Sequence, residues 1–361
     1  MSRAVAAVVA LVSLVSLAGA CSAPRSSTPP GANGANGANG ANGASGEGPS
    51  GTLPDGAAVT VAIANGAITG LAPAAASERW LWPPVIDSHV HVAYWDVAAR
   101  LPAAGIAAVV DLAAPERALG EAAPGGLAVV QAGPMLTRPG GYPLDGWGAD
   151  GYGLGCADEG AVRAAVARLA AAGARVVKLA LDGHGLAAEL VPVAVRAAHA
   201  RGMKVAVHAL SDASAALGAA AGADLLAHTP VGPLAPATVR AWSGRAVIST
   251  LAAFGGGDEA VANLRALRDA GAVVLYGTDM GNLRDDRPSP AEVKLLGRAG
   301  LDDAAIAAAM TTVPAAYWDL PLGALAPGRD ASFLVLDGDP RKDARALLAP
   351  REVWLHGARI R

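Results

Sequence analysis

From about residue 85 the chain alternates short β-branched and aliphatic runs with longer Ala-rich stretches. The apolar runs are Val85–His91, Ile106–Asp111, Leu127–Ala132, Arg175–Leu181, Lys204–His208, Asp224–Thr229, Ala246–Thr250 and Val273–Asp279, eight in all. Between most of them lie segments with helical character, such as 161–173, 186–202, 211–222 and 259–271. Those four end in Gly173, Gly202, Gly222 and Gly271, and Gly is the usual residue just past a helix C-terminus. Strand, helix, strand, repeated eight times, predicts an α/β fold of the (β/α)₈ barrel type. The third connection, about 133–158, is long and rich in Gly and Pro, and long loops in compact barrels usually carry function. Outside the eight runs, Val59–Leu71 predicts a hairpin turning at Asn65-Gly66. Ser332–Asp337 and Val353–Ile360 are further short strands, which need a sheet of their own beside the barrel.

The N-terminus is of another kind. Arg3 precedes the apolar run Ala4–Ala20, a length that suits a signal segment better than a membrane span. Leu17-Ala18-Gly19-Ala20-Cys21 resembles a bacterial lipobox, which predicts cleavage before Cys21 and lipidation of that residue. The same bond also obeys the small-x-small rule of ordinary secretion, so a soluble secreted protein is the alternative. The Ser, Pro, Gly, Ala and Asn residues that follow, with Gly-Ala-Asn repeated from Gly31, read as a flexible tether over 21–56. The expected location is therefore outside the cytoplasm, at a membrane that the protein meets only through its lipid.

Composition narrows the function. The chain has 361 residues, 53% of them hydrophobic and only 16% charged, with a net charge of −3 and no cluster of Lys or Arg. That gives no electrostatic case for nucleic-acid binding and leaves a small molecule as the expected partner; the oligomeric state is not predicted. There are two Cys, and if Cys21 is lipidated Cys156 has no disulfide partner.

Chemistry-bearing residues collect at the predicted strand ends. His89-Val90-His91 closes the first run, and residues i and i+2 of a strand point to the same side. His208, His228 and Asp279 end the fifth, sixth and eighth runs, and Lys178 falls at or near the end of the fourth. In such a barrel those ends converge on one mouth. Four of the seven His lie there, which predicts a metal site of two divalent ions, best matched by zinc. Lys178 stands between Val177 and Leu179, so burial should lower its pKa and leave a neutral amine. Such an amine can take up CO₂ to give an anionic carbamate whose two oxygens could each hold one metal.

In that order His89, His91, Lys178, His208, His228 and Asp279 resemble the binuclear amidohydrolases with a carboxylated lysine. The flanks Asp87-Ser88-His89-Val90-His91, Gly323–Gly328 and Asp337-Gly338-Asp339-Pro340 agree, so the resemblance covers about 57–361 and looks closest to imidazolonepropionase-like and Xaa-Pro-dipeptidase-like hydrolases. It implies a barrel over 84–319 and a small β-sandwich from 57–83 plus 320–361. The implied activity is hydrolysis of amide, peptide or cyclic amide C–N bonds. A hydroxide bridging the two metals would attack the carbonyl, with Asp279 as general base and then acid. Lactone or phosphotriester hydrolysis at the same site is the alternative, and metal binding without turnover is a third reading. Tyr142, His184 and Arg284 are candidate substrate contacts: Tyr142 for the carbonyl oxygen, Arg284 for a substrate carboxylate. Asp111 is expected to hold loop backbone, and His199 and His356 to be structural.

Overall fold

The computed structural model describes residues 46–361. The expected signal segment 1–20, Cys21 and the tether as far as residue 45 lie outside the described residues. Among the described residues no helix is long and apolar enough to cross a membrane.

The first strands are β1 (Gly46–Thr52), β2 (Ala58–Ala64), β3 (Ala67–Pro73) and β4 (Trp80–Trp82). β1 departs from expectation, because its residues read in the sequence as tether. It pairs antiparallel with β2 from Gly46↔Ile63 to Thr52↔Ala58. The small residues that look like linker are what this crowded strand requires. A Cβ on Gly48 would stand 2.9 Å from Ile63 Cδ1, and one on Gly51 2.9 Å from Leu81 Cγ. β2 and β3 form the expected hairpin, with Asn65 at φ 52° and Gly66 at φ 77°, the double positive φ of a type I′ turn.

The barrel strands are β5 (Val85–Val90), β6 (Ile106–Asp111), β7 (Ala128–Gln131), β8 (Met135–Thr137), β10 (Val176–Ala180), β11 (Lys204–His208), β12 (Leu225–Leu226), β13 (Ala246–Ile248) and β14 (Val273–Leu275), with β9 (Gly153–Gly155) added from the long loop. They form two parallel sheets, β5-β6-β7 and β14-β13-β12-β11-β10-β8-β9. Hydrogen bonds across both seams complete the ring: Arg175 N donates to Gln131 O at 3.0 Å, and Ser88 N to Tyr276 O at 2.9 Å. The third predicted strand, Leu127–Ala132, forms as β7, and β8 follows it within the segment expected to be connection. Pro134 has no N–H to give a neighbour, and Gly133 turns at φ 73° where a Cβ would meet Leu169 at 2.7 Å. Beyond that turn β8 pairs with β10 at Leu136↔Leu179.

Helices α1 (Glu159–Ala171), α2 (Val191–His199), α3 (Asp212–Ala221), α4 (Pro236–Ala241), α5 (Asp258–Asp269), α6 (Pro290–Arg298), α7 (Asp303–Met310) and α8 (Thr312–Tyr317) connect or follow the strands. Side chains of Asp158, Ser211, Ser289 and Asp302 accept backbone N–H groups in the first turns of α1, α3, α6 and α7, so these starts are written in the sequence.

The chain ends with β15 (Phe333–Leu336), β16 (Glu352–Leu355) and β17 (Ala358–Arg359). Both ends of the described chain share one sheet in the order β17-β16-β15-β4-β1-β2-β3. It folds back on itself: Ala67 bridges Asp330, and Ala331 N donates to Gly66 O at 2.9 Å. Leu53, Val61, Ile68, Leu81, Phe333 and Val335 fill the space between its layers. On the other side of β15, Leu334 and Leu336 join the barrel's outer core. That is why Phe333-Leu334-Val335-Leu336 is apolar throughout, as expected of a strand buried on both faces.

Candidate metal centre

The strand register brings the predicted ligands together. His89 is the penultimate residue of β5 and His91 lies just beyond it, both fixed by the barrel seam. Asp279 N donates to His89 O at 2.8 Å, and His91 N to Met280 O at 2.6 Å. His208 ends β11, and His228 follows β12 by two residues. Lys178 is in the middle of β10, opposite Ala206, and not at the strand's end as expected. Its long side chain still reaches the cavity lined by His91, His208, His228 and Asp279. Asp279 adopts φ 57° and Gly281 φ 114°. This sharp reversal is possible because Gly281 has no Cβ, which would otherwise sit 2.7 Å from His91 Cβ.

The polar side chains crowd together, and several of their atoms lack partners. Asp279 Oδ1 lies 3.5 Å from His89 Nε2 and 3.1 Å from His91 Nε2. These three residues offer ligand atoms that all lie within 4.8 Å of one another. Ring centroids are 5.1 Å apart for His89–His91, 4.4 Å for His89–His228 and 4.9 Å for His208–His228. His89 Nε2, His91 Nδ1, Lys178 Nζ and His208 Nδ1 are buried with no hydrogen-bond partner. Orphaned donors and acceptors of this kind are rare in folded proteins, and imidazoles with an amine and a carboxylate are a set that fits divalent cations.

Outer contacts orient the ligands. His89 Nδ1 pairs with Ala227 O at 2.7 Å, so it carries the proton and leaves the Nε2 lone pair free. His228 Nδ1 meets Thr250 Oγ1 at 3.1 Å. Asn282 Nδ2 reaches both oxygens of Asp279, at 3.1 and 3.2 Å. Asp87 accepts Thr278 Oγ1 at 2.6 Å, Thr278 N at 3.0 Å and His89 N at 3.1 Å, tying β5 to the segment that carries Asp279. Asp111 accepts Ala93 N and Ala113 N, as expected of a backbone-holding carboxylate.

Burial sets the protonation states. Removal from water lowers the Lys178 ammonium to about 7, against the pull of Asp279. It lowers His208 to about 4, helped by the charge of Lys178, and holds His89 and His228 well below the ordinary imidazole value. Burial alone would raise Asp279, but His89, His91 and Asn282 outweigh it and keep its carboxyl below the usual range. Neutral imidazoles and an ionised carboxylate are the forms that bind metal.

A cavity of about 400 Å³ opens over this floor. Larger cavities, about 460 Å³ beside α6 and α7 and about 490 Å³ at the far end of the barrel, contain none of these side chains. Of the weaker candidates Tyr142 lines the cavity, its ring 4.9 Å from that of His208. His184 does not: it is exposed, and its carbonyl accepts Arg138 Nε at 2.9 Å. Nor does Arg284, whose guanidinium stacks over Tyr94 and Trp95 at 5.7 and 5.3 Å, outside the lining. His199 pairs with Asp224 at 2.8 Å and His356 with Asp330 at 2.7 Å, both away from the floor. Trp147, Phe254 and Asn282 line the cavity without having been singled out from the sequence. Only Trp147 carried a signal, by lying in the long third connection.

A parallel barrel, a folded sheet shared by both ends of the described chain, and ligand-type side chains at the C-terminal strand ends define the amidohydrolase fold. The solved structures this chain is similar to include amidohydrolase-type proteins. A Xaa-Pro dipeptidase with methionine in its active site superposes with TM-score 0.72 at 18% identity, over 84% of this chain and 94% of that one. The ochratoxinase of A. niger gives 0.68 at 17% identity over 86% and 94%, and molinate hydrolase 0.68 at 18% over 86% and 93%. No protein-family model matches the chain, and no curated protein matches it in sequence.

Proposed function

We propose that this protein is a metal-dependent hydrolase of C–N bonds in amides, short peptides or cyclic amides. In this reading His89, His91, Lys178, His208, His228 and Asp279 hold two divalent ions, zinc by preference, with Lys178 present as its CO₂-derived carbamate. The observation that carries it is the set of buried, unpartnered atoms on His91, Lys178 and His208 at the cavity floor with Asp279, and on His89 grouped with His91 and Asp279. A fully buried amine with its pKa near 7 is substantially neutral, and the neutral amine is the form that adds CO₂. Similarity to a Xaa-Pro dipeptidase, a molinate hydrolase and a phenylurea hydrolase supports a hydrolytic role.

A bound pair of divalent ions would supply Lewis acidity, bringing the pKa of water toward neutrality and polarising a carbonyl. The protein's own side chains do the rest. Asp279, ionised and held by Asn282, accepts the proton of the attacking water at a carboxylate oxygen and returns it to the leaving nitrogen. Tyr142 keeps its phenolic proton because burial raises its pKa. Its oxygen accepts Trp147 Nε1 at 3.3 Å, which leaves the O–H free to donate to the substrate carbonyl. From the sequence we also propose that the enzyme is exported and anchored through lipid on Cys21.

The test is a metal count with a substrate panel. Zinc-reconstituted protein should carry two ions per chain by plasma mass spectrometry. It should hydrolyse members of a set of dipeptides and N-acyl anilides faster than lactones or phosphotriesters. One ion or none refutes the binuclear site, and lactone or phosphotriester turnover without amide turnover refutes the C–N assignment.

A further inference from the structure

We propose that the cavity selects a neutral, apolar amide-type substrate and rejects one carrying a charge on the group that enters the walls. This rests on the hydrolase reading and names the class of compound that the site would take.

The cavity is two-toned. Its charged lining side chains, Lys178 and Asp279, belong to the floor. The walls are Met135, Tyr142, Trp147, Leu210 and Phe254, with Asn282 as a neutral polar member. The Asn282 amide nitrogen is already engaged with Asp279. Tyr142 stands 4.9 Å from the His208 ring and Phe254 4.9 Å from the His228 ring, while those two imidazoles are themselves 4.9 Å apart. Aromatic faces thus flank the floor on two sides, a setting that favours a flat apolar group.

The charged groups nearby are turned to other work. Asp182 takes the Leu210 backbone N–H and the hydroxyls of Ser211 and Ser214. Arg138 donates to His184 O. Arg284 is stacked on Tyr94 and Trp95, and Trp147 packs between Tyr94 and His91 with centroids at 5.7 and 5.2 Å. Asp145, whose charge acts on Tyr142, is exposed and stands outside the lining, so a substrate carboxylate or ammonium lodged against the walls would lose its hydration and meet no counter-ion within them. Burying an unpaired charge weakens binding by about 10²-fold or more.

Ketone isosteres separate binding from turnover. In 1-phenylpentan-2-one a methylene replaces the N–H of N-phenylbutanamide, so the zinc-loaded protein binds it without cleaving it. Calorimetry should show this neutral ketone binding at least about 10²-fold more tightly than its ring 4-carboxylate or 4-aminomethyl analogue. Trp147→Ala and Phe254→Ala should each lose about tenfold or more in affinity for the neutral ketone, reducing the discrimination. Equal or tighter binding of either charged analogue by the wild-type protein overturns the proposal, and that comparison requires no variant to fold. Aniline release from N-phenylbutanamide is followed in parallel. Charge discrimination without aniline release leaves the selectivity standing and counts against the hydrolase reading. Cleavage of N-phenylbutanamide and of its 4-carboxylate at comparable kcat/KM keeps the hydrolase reading and overturns the selectivity.

Discussion

Replacing Lys178 with Met tests the most unusual group in the barrel. Lys178 is wholly buried, its Nζ has no partner, and burial pulls its pKa from 10.5 to about 7. At roughly 1.4 kcal/mol per tenfold change in acidity, that drop corresponds to about 5 kcal/mol working against the charged form in the metal-free protein. The unfolded chain keeps this proton up to the ordinary lysine value, while the folded chain releases it near 7. Below pH 7 both states are charged and the whole penalty opposes folding. Between about 7 and 10.5 the unfolded state binds more protons, so stability rises with pH. Met is close in volume and needs no partner. Lys178→Met should therefore stabilise chelator-treated protein by about 5 kcal/mol at pH 6 and by only about 2 kcal/mol at pH 9. Urea unfolding of both proteins at the two pH values measures this, and metal analysis of the untreated variant should show a lower content. A variant no more stable than wild type at pH 6, or a gain that grows with pH, refutes the reasoning.

Asp279→Asn keeps one ligating oxygen but cannot take a proton, so metal content should persist while kcat and kcat/KM fall together by about 10²–10⁴-fold in steady-state assays. Asn282→Ala removes both contacts to the Asp279 carboxylate and should weaken metal affinity or activity by about 10–100-fold, read by chelator competition. Glu292 is raised by burial from 4.5 to about 7, so the folded state retains its proton where the unfolded state has lost it, and stability falls as pH rises through that window. Glu292→Gln should remove about 3 kcal/mol of that slope, and an unchanged difference in unfolding free energy between pH 4.5 and 7.5 would count against it. Cys21→Ala should move the protein from the membrane to the soluble fraction on cell fractionation; a wild-type protein already soluble would dismiss the anchor.

Much of the barrel can be read from local pattern. The strands are buried, so their apolar runs persist whatever the loops do, and the helix starts announce themselves through Asp158, Ser211, Ser289 and Asp302. His89 and His91 are legible because strand geometry puts i and i+2 on one side. The sequence alone therefore determined the strand–helix alternation, the hairpin at Asn65-Gly66 and the residue types gathered at the strand ends. Tertiary structure decided the rest. Gly48 and Gly51 look like tether until Ile63 and Leu81 press against them. β8 arises in the expected connection after the chain turns at Gly133 against Leu169, a contact 36 residues away that no local window contains. Arg284 and His184 follow strand ends in the sequence, yet their loops carry them outside the cavity lining. Phe254 reaches the cavity on a turn whose Leu251 and Ala252 N–H groups are held by Glu292 of α6, some 40 residues on. Strand periodicity and capping act over a few residues, so the chain states them locally. Loop conformation is set by partners distant in sequence, and so is the identity of the side chains that face the substrate.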